Sequence, residues 1–85
     1  MAYRIKYSSK AARQFRKLPR NIQKQLKADI DALRDNPRPP GCIPYKSDPG
    51  TYRIRSGSYR VIYEINDDIL RVLVLKLGHR GNIYR

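Results

Sequence analysis

Residues 50–65 read GTYRIRSGSYRVIYEI, two alternating runs of polar and apolar residues joined by Ser-Gly-Ser. Successive side chains of a β-strand point to opposite faces of the sheet. Arg53 and Arg55 therefore share the face opposite to the apolar residues of the first run, and Arg60 takes the same position in the second. If the two apolar faces coincide in one hairpin, three guanidinium groups lie together on its other surface. Such a cluster suits a phosphate group, because guanidinium donates paired hydrogen bonds to phosphate oxygens.

The overall charge of the chain points to the same kind of partner. The 85 residues include 19 Lys and Arg against seven Asp and Glu, a formal net charge of +12. Residues 1–36 hold ten basic and three acidic groups (+7) and residues 37–85 hold nine and four (+5), so the charge is not confined to a tail. A small domain with this charge attracts polyanions. Nucleic acid, an acidic protein, or both therefore fit as partners.

The composition argues against several other classes of protein. At 85 residues and 40% apolar content, the chain is expected to form a single domain, residues 1–85, with one modest core. No apolar run is long enough to cross a membrane and no secretory leader is evident, so we expect a cytoplasmic protein. Cys42 is the sole cysteine, which excludes an intramolecular disulfide. One Cys, one His and scattered carboxylates form no metal-ligand spacing, and we expect neither a metal nor another cofactor.

The first half of the chain predicts a strand followed by a helical hairpin. Residues 3–7 alternate apolar with basic side chains, as a half-buried strand does. Two serines can cap a first helix over residues 10–17, and Pro19 either breaks this helix or opens the next one at its first turn. A second helix over residues 20–35 stops at an Asn-Pro pair. Its apolar stripe consists of Ile22, Leu26, Ile30 and Leu33.

The second half predicts the rest of a sheet. Residues 37–50 form a connector rich in proline and glycine, and the arginine-bearing hairpin follows it. Residues 69–77 are mostly apolar in both phases, which is typical of a central strand covered on both faces. The order is β-α-α-β-β-β, an α+β domain with an antiparallel-rich sheet and a two-helix hairpin on one face. We expect the hairpin tyrosines in its core: Tyr52, Tyr59 and Tyr63.

This pattern resembles the RelE/ParE superfamily of toxin–antitoxin toxins, and within it RelE. The resemblance covers nearly the whole chain and includes Arg-Lys-Leu-Pro at residues 16–19. Its most specific part is Gly-x-Tyr-Arg-Ile-Arg-x-Gly-x-Tyr-Arg-Val-Ile-Tyr at residues 50–63, followed by Gly-His-Arg at residues 78–80 and a tyrosine near the end. The resemblance implies a RelE-like fold and the toxin of a type II toxin–antitoxin system.

The resemblance also implies an activity and its partners. RelE toxins cleave mRNA in the ribosomal A site, so the expected partners are the 70S ribosome with its mRNA and rRNA, and a cognate acidic antitoxin. Carried over by position, Arg53, Arg55 and Arg60 are the basic residues of the sheet, Arg80 follows the last strand and Tyr84 is the C-terminal aromatic residue.

Cleavage of RNA without a metal sets the roles that these residues could take. A base must take the proton of the 2′-hydroxyl, cations must stabilise the phosphorane, and an acid must protonate the departing 5′-oxygen. Our hypothesis places Arg60 and Arg80 on the non-bridging oxygens and Arg53 and Arg55 on flanking phosphates. Arginine does not lose its proton in proteins, so another residue must be the base.

Two residues of the tail are candidates for proton transfer. Tyr84 is the better candidate base, because surrounding guanidinium groups would lower the pKa of its phenol from about 10. His79 is the alternative acid or base, because histidine is the residue type whose ordinary pKa, about 6.5, lies near neutral pH. Each residue also has a simpler interpretation: packing on the sheet edge for Tyr84, and an RNA contact or surface position for His79.

Two other functions fit the same fold. The first is a ParE-like toxin that poisons DNA gyrase, and the second is a catalytically inactive module that binds RNA or an antitoxin. The arginine cluster, together with Gly-His-Arg and a tyrosine near the end, favours the ribonuclease over the ParE-like toxin, whereas toxicity on expression would separate a toxin from the inactive module.

Overall fold

The structure, a computed structural model, describes residues 2–45 and 48–81. Its elements are β1 (Arg4–Tyr7), α1 (Ser9–Arg16), α2 (Arg20–Ala32), β2 (Ile43–Pro44), β3 (Thr51–Ser56), β4 (Tyr59–Asn66) and β5 (Arg71–His79). The sheet has the strand order β1-β5-β4-β3-β2. Strand β1 runs parallel to β5, whereas the other neighbours are antiparallel, which confirms the predicted α+β fold. The strand absent from the prediction is the two-residue β2, inside the proline-rich connector.

The two helices begin and end close to the predicted residues. Ser8 caps α1 through its Oγ, which accepts a hydrogen bond from the backbone N–H of Ala11 at 3.0 Å. Helix α2 ends at Ala32, three residues before the predicted end. The carbonyl of Arg34 accepts a bond from Tyr3 N at 2.8 Å, so the chain leaves the helix to join the sheet. Within the described part of the chain, neither helix is long and apolar enough to cross a membrane.

The core lies between the helical hairpin and one face of the sheet. The predicted stripe of α2 supplies Leu26, Ile30 and Leu33, all at most 1% exposed. Of the three hairpin tyrosines, Tyr63 is fully buried, and Tyr52 and Tyr59 pack against the core while half-buried. The buried residues of the cluster are Ala11, Leu26, Ile30, Leu33, Ile54, Val61, Tyr63, Ile65, Val72, Val74 and Leu77.

Strand β5 departs from its predicted description. It begins at Arg71 rather than at residue 69, because Asn66 Oδ1 accepts bonds from the two backbone N–H groups of Asp68 and Ile69 and closes a turn. It is an internal strand, as predicted, but the helices cover only one of its faces. On the other face, Leu73 is half-buried rather than buried, so the expectation of full cover on both sides is wrong.

Candidate nucleic-acid interface

The β3–β4 hairpin builds the centre of the candidate site. Arg55 lies directly opposite Arg60 in the register, and Arg53 lies opposite Ile62. The two strands are joined by Gly57 and Ser58, and Gly57 has a φ of +61°, which glycine adopts without strain. Like charges placed opposite each other on neighbouring strands are destabilising. The fold therefore keeps an arrangement that works against its own stability.

The arginines of this hairpin line a pocket of about 600 Å³. Arg53, Arg55 and Arg60 contribute to it from the two strands, and Arg80 contributes from the segment that follows β5. The backbone N–H of Arg80 donates to the carbonyl of Ser58 at 2.9 Å, which ties this segment to the hairpin turn. The structure thus brings together the four arginines that the sequence assigned to phosphate binding. The remaining lining residues are Gly41, Ile43, Ile54 and Gly81.

The arginines give the pocket a strong positive charge. Among residues 2–45 and 48–81, Arg55, Arg60 and Arg80 form no ion pair with a carboxylate. The guanidinium of Arg60 donates to the carbonyl of Tyr59 at 3.4 Å, a long contact with a neutral group. Guanidinium groups that converge without a counter-ion are well suited to an external anion, and their planar forks match phosphate. The pocket can therefore hold phosphodiester groups and stabilise negative charge on them.

The two predicted proton-transfer residues have different outcomes. Tyr84 lies outside the described residues. His79 does not line the pocket: its ring packs edge-on against the ring of Tyr59, with centroids 5.6 Å apart. His79 pairs with Tyr59 across the β4–β5 ladder, and Tyr59 packs against the core. The structure therefore places His79 on the helix side of the sheet, away from the four arginines.

The buried tyrosine of the hairpin is held in its neutral form. The hydroxyl of Tyr63 donates to the carbonyl of Pro37 at 2.8 Å. Burial raises the pKa of Tyr63 well above its ordinary value, with a smaller contribution from Cys42. The ring of Tyr52 stacks on that of Tyr63 at 6.2 Å between centroids. These two tyrosines anchor the start of the connector.

One wall of the pocket, formed by Gly41 and Ile43 of the connector, was not anticipated from the sequence. The connector is held by Arg38, whose Nη2 lies 2.9 Å from Asp67 Oδ2 and whose Nη1 donates to Oδ1 at 3.3 Å. Tyr3 donates its hydroxyl to the same carboxylate at 2.6 Å. Two hydrogen bonds lower the pKa of Asp67: the one from Arg38 has the larger effect, and the one from Tyr3 has the next largest. No local sequence pattern predicts these contacts, because they join residues that are distant in the sequence.

Within residues 2–45 and 48–81, no group of three or more His, Cys, Asp or Glu side chains is arranged to bind a metal ion.

Comparison with known proteins defines the class to which this fold and pocket belong. Residues 5–84 match the family model of the ParE toxin of the type II toxin–antitoxin system parDE. The chain belongs to the RelE/ParE superfamily of toxins from type II toxin–antitoxin systems.

The individual relatives carry RelE-type names. The chain is 35% identical to toxin RelG of Mycobacterium tuberculosis over 89 residues, covering 100% of this chain and 99% of RelG. It is 30% identical to the mRNA interferase toxin RelE of Escherichia coli over 82 residues, covering 94% of this chain and 85% of that toxin. Among solved structures, the toxin–antitoxin complex RelBE2 of M. tuberculosis aligns with a TM-score of 0.84 at 27% identity, covering 96% of this chain and 95% of that one. The chain is therefore a type II toxin of the RelE family.

Proposed function

We propose that this toxin is an endoribonuclease that cleaves mRNA in the A site of the ribosome and so inhibits translation. The observation that carries the proposal is the pocket lined by Arg53, Arg55, Arg60 and Arg80. The name of the E. coli relative, an mRNA interferase toxin, supports the same activity. The ribosome is a cytoplasmic particle, so the proposal places the toxin in the cytoplasm.

The proposed reaction is attack of a 2′-hydroxyl on the adjacent phosphate, which leaves a 2′,3′-cyclic phosphate and a free 5′-hydroxyl. Arg60 and Arg80 contact the non-bridging oxygens and stabilise the charge that develops on the phosphorane. Arg53 and Arg55 hold the flanking phosphates in line. Because the arginines supply the cationic charge, the proposal assigns no step to a metal ion.

The proton transfers need a group other than arginine, because the pKa of a guanidinium is above about 12. We assign the base to Tyr84, because guanidinium groups near a phenol stabilise its phenolate. His79 is the alternative acid or base. His79 is the last residue of β5 and its ring lies against Tyr59, so it serves this role only if the end of β5 rearranges and turns the ring toward the pocket.

Dependence on the ribosome follows from how little the pocket does by itself. The described lining residues include four arginines but no histidine, tyrosine or carboxylate. Much of a catalytic rate comes from holding the reacting atoms in line, and the ribosome can supply that orientation for mRNA in the A site. We therefore assign the ribosome, with its mRNA and rRNA, as the partner that completes the site.

An acidic antitoxin is the second proposed partner. The structural relative RelBE2 is a toxin–antitoxin complex. The chain has a net charge of +12, and within residues 2–45 and 48–81 Arg55, Arg60 and Arg80 have no carboxylate partner, so the pocket attracts an acidic segment. Such a segment would neutralise the pocket and block access of RNA.

The test is a cleavage assay with mapped ends. The purified toxin is added to 70S ribosomes programmed with a defined codon in the A site and, separately, to the same mRNA alone. We expect rapid cleavage within the A-site codon and little cleavage of free mRNA, with 2′,3′-cyclic phosphate ends. Equal rates on both substrates would refute dependence on the ribosome.

A gyrase-directed toxin is the second candidate, because the matching family model carries the ParE name. It makes a distinct prediction: no new RNA ends on programmed ribosomes, but inhibition of DNA supercoiling by purified gyrase. Absence of both effects, in a chain that is also harmless when expressed, would leave the binding module as the function.

A further inference from the structure

The β4–β5 ladder contains an irregularity that decides which residues reach the pocket. Tyr63 pairs with Val74 and Ile62 pairs with Lys76, so Leu75 has no partner on β4. One extra residue in a strand is a β-bulge, and it inverts the facing of every residue that follows. The pattern of buried residues shows this inversion. The core residues of β5 are Val72 and Val74, two positions apart, and then Leu77, three positions after Val74.

The inversion places Arg80 rather than His79 at the pocket. With uninterrupted alternation, positions 76, 78 and 80 would share the core side with Val74. With the bulge, Gly78 pairs with Arg60, His79 contacts the ring of Tyr59 on the core side, and Arg80 lines the pocket. The position of this arginine therefore depends on the bulge at Leu75.

Side chains of the α1 region hold the bulged backbone in place. Strand β1 ends at Tyr7, opposite Val74, so β5 has no strand beside it on that edge from Leu75 onward. Ser8 Oγ donates to the carbonyl of Leu75 at 2.7 Å. Gln14 Oε1 accepts from the backbone N–H of Leu77 at 2.8 Å, in a half-buried environment. Backbone groups away from water need partners, and these two side chains supply them where β1 no longer does.

We propose that Gln14 is a positioning residue for Arg80: it fixes the bulged register of β5 from the helix side of the sheet and thereby directs Arg80 into the pocket. The inference rests on the proposed function only for the role of Arg80 in holding phosphate. Gln14 does not line the pocket. Ser8 acts on the same bulge but also caps α1, so its substitution would disturb two features at once. Gln14 is therefore the residue to test.

The variants are chosen to separate this role from ordinary stabilisation. Gln14→Met removes the acceptor while keeping the length of the side chain, and Gln14→Glu keeps an acceptor oxygen at the same reach. The matched control is Gln23→Met, because Gln23 Nε2 donates to the carbonyl of Phe15 at 2.9 Å within the helical hairpin, rather than to the backbone of β5. If Gln14→Met fails to fold, Gln14→Asn is used in its place, because its side chain draws the amide back by one carbon.

The first readout is structural and does not depend on any activity. In the wild-type chain, NMR should show contacts between the rings of His79 and Tyr59 and slow hydrogen exchange at the amide of Leu77. Gln14→Met should speed that exchange by about tenfold or more and remove the ring contacts. Gln14→Glu should restore both signals and Gln23→Met should leave them unchanged. Persistence of both signals in Gln14→Met would overturn the proposal.

The second readout is the coupling between Gln14 and Arg80 in binding an RNA oligonucleotide with 2′-O-methyl groups, which cannot be cleaved by 2′-hydroxyl attack. In the wild-type and Gln23→Met backgrounds, Arg80→Ala should weaken binding about tenfold. In Gln14→Met the same change should have less than about a threefold effect. A full tenfold effect in every background would contradict positioning by Gln14. No effect of Arg80→Ala even in the wild type would refute its proposed role in phosphate binding, while the NMR signals would still decide the role of Gln14.

Discussion

Arg38 is paired with a carboxylate and a tyrosine of its own chain, whereas Arg55, Arg60 and Arg80 have no carboxylate partner in the described parts of the chain. The guanidinium of Arg38 bonds both oxygens of Asp67, donates from Nε to the hydroxyl of Tyr52 at 3.3 Å and lies 5.4 Å from the centre of the Tyr52 ring. The pocket arginines instead face one another.

This difference separates Arg38, which supports the fold, from Arg55, Arg60 and Arg80, which are suited to binding an external anion. Arg38 donates its hydrogen bonds to residues of the same chain and so attaches the connector to the sheet. The pocket arginines repel each other, and Arg55 and Arg60 do so from opposite positions on neighbouring strands. A protein keeps such repulsion where an external anion relieves it. Loss of charge should therefore affect activity in the pocket and stability at Arg38.

The largest expected effect is on cleavage by variants of the pocket. Arg60→Ala and Arg80→Ala should each reduce single-turnover cleavage on programmed ribosomes by roughly 100- to 1,000-fold, because each removes a donor to the developing charge. Their resistance to chemical denaturation should be unchanged or higher, since repulsion is reduced. Arg34→Ala, an exposed arginine outside the pocket, is the charge-matched control. Equal losses in Arg34→Ala and Arg60→Ala would remove the distinction between pocket and surface arginines.

The next effect concerns the turn that holds Arg55 opposite Arg60. A Cβ at position 57 would lie 2.7 Å from Gln25 Nε2, and the backbone there is left-handed. Gly57→Ala should therefore destabilise the fold by about 1–2 kcal/mol, measured by denaturation. In a Gln25→Ala background the clash is absent and only the backbone strain remains, so the loss should be smaller. An identical loss in both backgrounds would show that the clash with Gln25 contributes nothing.

The buried contact that holds the connector, from Tyr63 to Pro37, should contribute more to stability than the exposed ion pair of Arg38 with Asp67. Tyr63→Phe leaves the carbonyl of Pro37 without its partner and should reduce the free energy of unfolding by about 1 kcal/mol. The pKa of Tyr63 is raised in the folded state, so its contribution is present below the unfolded pKa of about 10 and is lost as pH rises through the higher folded value. Denaturation of Tyr63→Phe and of the control Tyr59→Phe from pH 7 to pH 11 checks this. No gap between the variants at pH 7 would contradict it.

The smallest expected effect is at the exposed ion pair between Arg38 and Asp67. The side chains of Arg38 and Asp67 are 43% and 53% exposed, so solvent screens their attraction and Asp67→Asn should lower stability only slightly at pH 7. The pKa of Asp67 is lowered in the folded state, chiefly by Arg38. Its contribution is therefore present above the unfolded pKa of about 3.9 and is lost as pH falls. The difference between wild type and Asp67→Asn should vanish on acidification, and a difference that grows would refute the assignment.

The sequence predicts the arginine face of the hairpin because alternation is local. Arg53, Arg55 and Arg60 keep one phase across a short turn, and the register confirms it. The bulge at Leu75 has no such signal, since it arises where α1 replaces β1 along the edge of β5. For that reason alternation alone could not tell whether His79 or Arg80 faces the pocket.

The other gaps in prediction have the same cause. The early end of α2 depends on a bond from Tyr3 to the carbonyl of Arg34, and the connector wall depends on Asp67, 29 residues beyond Arg38. The fold class, the core stripe of α2 and the four phosphate-binding candidates could be proposed without such contacts, the last with the help of the family resemblance. The positions of the other residues that line the pocket around these arginines could not be predicted without such contacts.

The most direct test of the account compares the two kinds of arginine in one titration. The ¹⁵N-labelled toxin is titrated with a 2′-O-methyl RNA trinucleotide, and the side-chain Nε–H resonances of its arginines are followed by NMR. We expect the resonances of Arg55, Arg60 and Arg80 to shift with a common binding curve while that of Arg38 stays in place. Shifts of Arg38 as large as those of the pocket, or a pocket that does not respond, would contradict the claim that the arginine pocket is the site for substrate phosphate.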